Sequence, residues 1–278
     1  SSDLFLPDGK ELHFFERNEN YRRGLNFYES LYDEWDGERA AGEVCPTYWN
    51  RGVTYEEGSY QWQPNDDAAK RIHDAYPDID IVLTLRNPVT RLHSQYWKNV
   101  RQGNEDVTPL RRAIEQEQSG IRNKEQDKLC WLYRNHYAPH ISRWLEFFGR
   151  DQILFLVFEN WISKPEEVLN TICDHIGVEP LDDWDLDIET NQSITPRLWF
   201  LNQFYHQYIN DTPIQPLLAK TGIPRALRRL NATSGKPDLE PETERMLFEE
   251  FVDDFDKLES LTGLNLDVWR EADPANTD

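Results

Sequence analysis

Cysteine is scarce in this sequence: there are three in 278 residues, Cys45, Cys130 and Cys173, with no Cys-x-x-Cys pair. An odd, scattered set argues against a disulfide framework and against a cysteine-built zinc cage. Buried free thiols in a reducing, cytoplasmic setting are the expectation, with a membrane anchor upstream of Ser1 left open. Long apolar runs are missing too, and none could span a bilayer. No secretory leader is visible at Ser1. Internal repeats and low-complexity linkers are absent. One domain over residues 1–271 with a polar tail at 272–278 is therefore expected. Bases are few, 30 against 51 acids, for a net charge of −21. Such a field repels nucleic acid and anionic membranes. The acid excess and the preference for arginine over lysine resemble the composition of proteins from salt-rich habitats. A pocket for an anionic ligand must then be locally basic against the field of the whole molecule.

What is present starts with the run from Ile81 to Tyr96, Ile-Val-Leu-Thr-Leu-Arg-Asn-Pro-Val-Thr-Arg-Leu-His-Ser-Gln-Tyr. The branched apolar residues read as a strand buried on both faces, as in parallel sheets. Pro88 suits the first turn of a helix, where its missing N–H costs nothing. Arg86 then sits where strand hands over to helix, the crevice in which open α/β sheets bind ligands. Free N–H groups at the helix start favour an anion. Arg86 offers a fork of donors matched to a phosphate, and Ser94 adds a hydroxyl.

Along the chain, strands are expected at Glu11–Glu16, at Ala40–Cys45 as a short one, at Ile81–Leu85 and at 153–158. Helices are expected at Tyr21–Tyr32, Pro64–Ala75, Pro88–Gly103, Pro109–Gln118, Pro165–Ile176, Thr195–Asn210 and Pro241–Thr262. Another helical region runs from Lys124 to Phe148 with a break near Pro139. Tyr48 to Gln63 reads as a long aromatic loop, either a platform for sugar rings or a lid packed on the core. The alternation argues an α/β fold, a mostly parallel central sheet flanked by helices. His136 and His140 have metal-like spacing, but Pro139 lies between them and no third ligand is apparent. No metal is expected.

The string Arg86-Asn87-Pro88-x-x-Arg91-x-x-Ser94-x-Tyr96 resembles the 3'-phosphate motif of sulfotransferases, enzymes that use 3'-phosphoadenosine 5'-phosphosulfate (PAPS). The resemblance continues through Tyr137 to Leu145, Glu159-Asn160-Trp161, Lys164-Pro165-Glu166 and Lys236-Pro237-x-Leu239-x-Pro241-Glu242-Thr243. Lys10-Glu11-Leu12-His13-Phe14-Phe15 is similar to a segment of the heparan-sulfate-type branch, which includes N-deacetylase/sulfotransferase-like proteins. Read as a strand, this segment puts Glu11 and His13 on one face. A carboxylate beside an imidazole can take a proton from an incoming hydroxyl or amine. The resemblance makes Glu11 the catalytic base, His13 its support, and Glu16 the counterpart of an assisting aspartate. It makes Ser234, Gly235 and Lys236 a loop closing over the nucleotide, alongside Arg86 and Ser94.

The departures are specific. Many relatives carry Glu-Lys-x-Pro-x-Tyr, and this chain has Glu43-Val44-Cys45-Pro46-Thr47-Tyr48. The Gly-rich loop with Gly-Thr-Thr that cradles the 5'-phosphosulfate is not in this sequence. Ser1 to Pro7 resembles the segment just after the family's first helix. The expected fold is therefore the P-loop-like sulfotransferase fold without its first strand, loop and helix, and weak transfer by this chain is expected for that reason. The implied reaction is sulfuryl transfer from PAPS to a hydroxyl or amine, on a glycan acceptor. A nucleotide kinase or other P-loop relative, and a non-catalytic sulfotransferase-like binding protein, stay open as alternatives.

Overall fold

The computed structural model of the chain describes residues 3–9, 11–49, 53–56, 59–62, 67–119, 130–181, 183–184, 186, 194–196, 232–234 and 236–272. In chain order the elements are β1 (Leu4–Phe5), α1 (Asn18–Tyr21), α2 (Leu25–Ser30), β2 (Ala40–Ala41), β3 (Val53–Glu56), β4 (Ser59–Trp62), α3 (Ala68–Ala75), β5 (Ile81–Leu85), α4 (Pro88–Gln102), α5 (Leu110–Gln118), α6 (Tyr137–Leu145), β6 (Ile153–Val157), α7 (Phe158–Ser163), α8 (Pro165–Ile176), β7 (Ile194–Pro196), β8 (Ala232–Ser234), α9 (Pro241–Thr262) and α10 (Asp267–Arg270).

β5 and β6 form the parallel pair at the centre, in register from Ile81 opposite Ile153 to Leu85 opposite Val157. Leu83, Leu85, Ile153, Phe155 and Val157 are buried. Helices cover the strands, as an apolar parallel pair requires. Even register brings both strands to an end at one edge, and each hands over to a helix there, β5 to α4 and β6 to α7. The two exits are tied by Glu159, which accepts the Asn87 N–H at 3.1 Å and the Trp269 indole N–H at 2.8 Å. α4 has Pro88 in its first turn and closes on Gly103 in the left-handed region, φ 75°. One buried apolar cluster runs from Phe14 through the strands to Trp269.

α9 packs on α6 and α4. It buries Leu247, Phe251, Phe255 and Leu258 completely, as its long amphipathic pattern requires. It also caps α6 from a distance. No side chain of the preceding residue caps that helix. Instead the Asp254 carboxylate accepts the N–H of Tyr137 at 2.6 Å and of Ala138 at 3.2 Å. Burial pushes the Asp254 carboxyl up, opposed by these bonds. Asp254→Ala leaves two buried N–H groups without partners, and the expected loss is about 2–3 kcal/mol in denaturant unfolding. A loss within about 0.5 kcal/mol would mean that water replaces the cap.

Several sequence expectations are corrected. Glu11–Glu16 is an extended segment and turn, not a strand, and His13 takes a left-handed φ of 52°. Phe14 and Phe15 are both buried, and a flat strand would send one of two neighbours outward. The expected helix from Tyr21 to Tyr32 is interrupted at Gly24, φ 83°. The aromatic loop holds an antiparallel hairpin, β3 with β4. The strand expected to Cys45 covers only Ala40 and Ala41, which pair with β1 in parallel. The break expected near Pro139 falls at His136, extended just before α6, and Pro139 itself stands in that helix's first turn, while residues 124–129 of the expected region lie outside the described residues. Thr195 belongs to β7, which pairs with β8, while residues 197–210 of the expected helix lie outside the described residues.

Candidate functional site

Two groups of polar side chains converge on this frame. The first is the Glu11–Glu16 turn. Its driving force is aromatic: Phe14 and Phe15 meet edge-on at 4.9 Å and pack on Tyr28. Three neighbours hold its backbone. The Asn20 amide donates to the His13 carbonyl at 2.9 Å, Arg71 donates to the Phe15 carbonyl at 2.8 Å, and the Phe14 N–H donates to the Tyr48 hydroxyl at 2.9 Å. These contacts hold the uncommon His13 conformation. The imidazole lies between two carboxylates. Nε2 is 3.0 Å from Glu11 Oε2, and Nδ1 makes a short contact with Glu16 Oε1. The Thr47 hydroxyl donates to that same Glu16 oxygen at 2.8 Å. Glu11 is 43% exposed while His13 and Glu16 are about 15% exposed, so Glu11 is the member that meets solvent.

Beneath it sits Glu43, whose Oε1 accepts the hydroxyls of Tyr28 and Tyr48, each at 3.0 Å. Burial pushes the Glu43 carboxyl up, and the two phenols oppose that shift. Burial and the Glu43 charge in turn keep both phenols protonated as donors. The sequence string from Glu43 to Tyr48 therefore serves as the underside of the turn. Val44, 66% exposed, occupies the surface where many relatives are expected to place a lysine.

The second group lies at the exit of β5. Lys236 donates to the Ser94 hydroxyl at 2.9 Å. Burial first, and the charge of Arg86 second, hold the Lys236 ammonium below the usual lysine range. Arg86 Nε contacts the Thr90 hydroxyl at 3.2 Å, and its guanidinium lies 5.1 Å from the Phe158 ring centre. Among the described residues, Arg86 and Lys236 have no carboxylate partner. Two cations this near each other, in a chain of net charge −21, make the exit of β5 locally basic against the field of the whole molecule. His93 behind them is pushed down to about 4 by burial and then by Lys236.

One element of the expected anion site is corrected. The first N–H groups of α4 are not free, because the Asn87 side chain accepts those of Val89 and Thr90 at 3.0 and 3.3 Å. Side chains, not the helix start, make this exit basic. Arg91 is turned away from it, donating to the Arg134 carbonyl at 3.0 Å with its guanidinium 4.8 Å from the Trp49 ring centre. The dipeptide Tyr48–Trp49 thereby ties the two groups together. Tyr48 supports the turn, and Trp49 packs 5.1 Å from Tyr137, whose hydroxyl donates to the Arg86 carbonyl at 2.8 Å.

The structure thus joins Glu11, His13 and Glu16, and separately joins Arg86, Ser94 and Lys236. Ser234 is described only as the end of β8, and Gly235 lies outside the described residues. Thr47 and Cys45 were not singled out as partners of His13; the single clue was their place in the string matched to the family. His136 and His140 go separate ways, His136 to Glu250 at 3.1 Å and His140 to the Tyr133 carbonyl at 3.4 Å.

The sequence model of the sulfotransferase family matches residues 28–183, more than half of the chain. Heparan sulfate glucosamine 3-O-sulfotransferase 6 of Homo sapiens is 27% identical over 231 residues, covering 82% of this chain and 55% of that protein. Bifunctional heparan sulfate N-deacetylase/N-sulfotransferase 3 of Mus musculus is 26% identical over 176 residues, 62% of this chain and 18% of that protein. The chain spans about half the length of the human relative. The crystal structure of a sulfotransferase from Alicyclobacillus acidocaldarius superposes with a TM-score of 0.65 at 25% identity, covering 97% of this chain and 90% of that one.

Proposed function

The chain belongs to the sulfotransferase family, and we propose that it moves the sulfuryl group of PAPS to a hydroxyl or amine of a glycan acceptor. The observation that supports this reading is a pair of half-buried cations at the exit of β5, Lys236 bonded to Ser94 and Arg86 near enough to lower the Lys236 ammonium. A phosphate on the 3' position of a nucleotide satisfies that donor set, and a neutral ligand does not. PAPS, when bound, supplies a sulfuryl group on a good leaving group. Arg86, Ser94 and Lys236 would hold its 3'-phosphate end.

This chain's own part in the chemistry is the proton. Glu11 Oε2 takes it from the acceptor hydroxyl or amine as the acceptor's lone pair is needed for the new bond. His13 donates its Nε2–H to the same oxygen and fixes the carboxylate's direction. Glu16, Thr47 and Asn20 fix His13 in turn. Catalysis is then mainly positioning, the role expected when the donor carries its own leaving group. The relatives named for heparan sulfate support a glycan acceptor. The acidic surface and the exposed Val44 disfavour a densely anionic one.

Incubation with labelled PAPS and a panel of neutral and anionic glycans tests the reading. Weak label is expected on a glycan of low charge density, with release of 3'-phosphoadenosine 5'-phosphate, because this sequence does not contain the loop that cradles the 5'-phosphosulfate. Nucleotide binding with no transfer to any acceptor would favour a binding protein over an enzyme. Transfer of phosphate from a nucleoside triphosphate instead would place the chain's activity with the kinases.

A further inference from the structure

The underside of the proposed base carries a constellation that proton transfer does not use. His13 Nδ1, Glu16 Oε1 and Cys45 Sγ lie within 4.8 Å of one another. The Cys45 sulfur is 3.6 Å from Nδ1 and 4.0 Å from Oε1. A tetrahedral zinc ion, with Zn–S near 2.3 Å and Zn–N near 2.0–2.1 Å, sets sulfur and nitrogen about 3.6 Å apart. The separation already present between Cys45 and His13 is the one zinc would impose. Two adjustments remain: the short His13–Glu16 contact must widen, and the 4.0 Å from Cys45 to Glu16 must close to about 3.6 Å.

The surroundings also fit. A zinc-bound imidazole usually gives its other N–H to a carboxylate. His13 Nε2 has that partner, Glu11 Oε2, at 3.0 Å. The ligating carboxylate is itself oriented, since Glu16 Oε1 accepts the Thr47 hydroxyl at 2.8 Å. Its second oxygen, Oε2, is buried with no hydrogen-bond partner among the described residues. His13, Glu16 and Cys45 are all partly buried, so an ion can reach them from solvent.

We infer that His13, Glu16 and Cys45 form an inhibitory zinc site. The ion takes Nδ1, Oε1 and the thiolate, the thiol proton and the proton shared between Nδ1 and Oε1 both leave to water, and a water completes the tetrahedron. The inhibition rests on the reading of Glu11 as the base, whereas the binding does not. A divalent charge one imidazole away from Glu11 lowers its basicity and withdraws His13 from Glu16.

Calorimetry with zinc chloride tests the binding, and cobalt(II) gives it a spectral signature. One ion per chain is expected, with a thiolate-to-cobalt charge-transfer band. Cys45→Ser and Glu16→Gln should each weaken binding about tenfold or more, and Cys45→Ser should abolish the band. Circular dichroism and thermal unfolding of both variants show whether they fold; the Glu16→Gln variant keeps the thiol, so its band persists at higher cobalt. Zinc that binds equally well to wild type and Cys45→Ser, or cobalt without the thiolate band, overturns the site. Zinc bound through Cys45 that leaves turnover unchanged overturns the inhibition, and Glu11→Gln then shows separately whether Glu11 is the base.

Discussion

Glu11→Gln leaves nucleotide binding intact and lowers turnover about 10²–10⁴-fold, the usual contribution of a positioned base. That loss corresponds to about 2.7–5.4 kcal/mol of barrier. The amide keeps the shape of the carboxylate, and its oxygen still accepts the His13 Nε2–H that now lies at 3.0 Å from Oε2. It cannot accept a proton from the acceptor. Steady-state turnover at saturating PAPS, beside calorimetry with 3'-phosphoadenosine 5'-phosphate, separates the two effects. Glu16→Gln is the contrasting case. Glu16 faces Nδ1, on the far side of the ring from Glu11, so its loss acts through the orientation of His13 and should cost less turnover than the loss of Glu11. Near-normal turnover in Glu11→Gln would place the base elsewhere, with His13 the first residue to test.

The resemblance gives the two carboxylates separate roles, but the geometry that separates them, one on each side of the His13 ring, is not legible in the sequence. A strand over Glu11–Glu16 puts Glu11 and His13 on one face and predicts their contact. The contact exists, yet the reason is different: adjacent buried phenylalanines force a turn, and His13 takes a left-handed φ to bridge Glu11 and Glu16. The local signal misled because Leu12, Phe14 and Phe15 do not alternate, and a two-residue period cannot bury neighbours together. By contrast, β5, β6, α4, α8 and α9 stand where the sequence put them. Their signals are local: continuous apolar runs, proline in the first turn, glycine just past the last. The hairpin of β3 and β4 stands where the aromatic, glycine-broken stretch suggests a loop, although Val53-Thr54-Tyr55 and Tyr60-Gln61-Trp62 are rich in strand formers. The same limit applies to the proposed anion grip. Asn87 was matched as part of a motif, but only the structure shows it filling the helix start that was to hold the phosphate. Lys236, 142 residues from Ser94, could be brought to it only by tertiary packing.

Arg86→Ala is the second large effect, and it falls on binding. A charge-assisted bond to phosphate contributes about 1.5–3 kcal/mol, so affinity for 3'-phosphoadenosine 5'-phosphate should fall about 10- to 150-fold. Lys236→Ala should fall in the same range, because its ammonium is the other charge of the grip. Ser94→Ala removes a neutral donor and should cost less, about 2- to 10-fold. The ranking separates the charged grip from a nucleotide bound elsewhere, which would be indifferent to all three. Stability supplies an independent reading. Arg86 gives up its contacts with Thr90 and Phe158 in the variant, but it also ceases to repel Lys236. The two effects oppose, so thermal unfolding without ligand should change little while the stabilisation by added nucleotide largely disappears. The Lys236 ammonium, relieved of its neighbour, should titrate higher, which NMR of the lysine side chain would register. Unchanged affinity in Arg86→Ala would remove the 3'-phosphate from the exit of β5, and with it the reading that two cations with no carboxylate partner among the described residues receive an anion there.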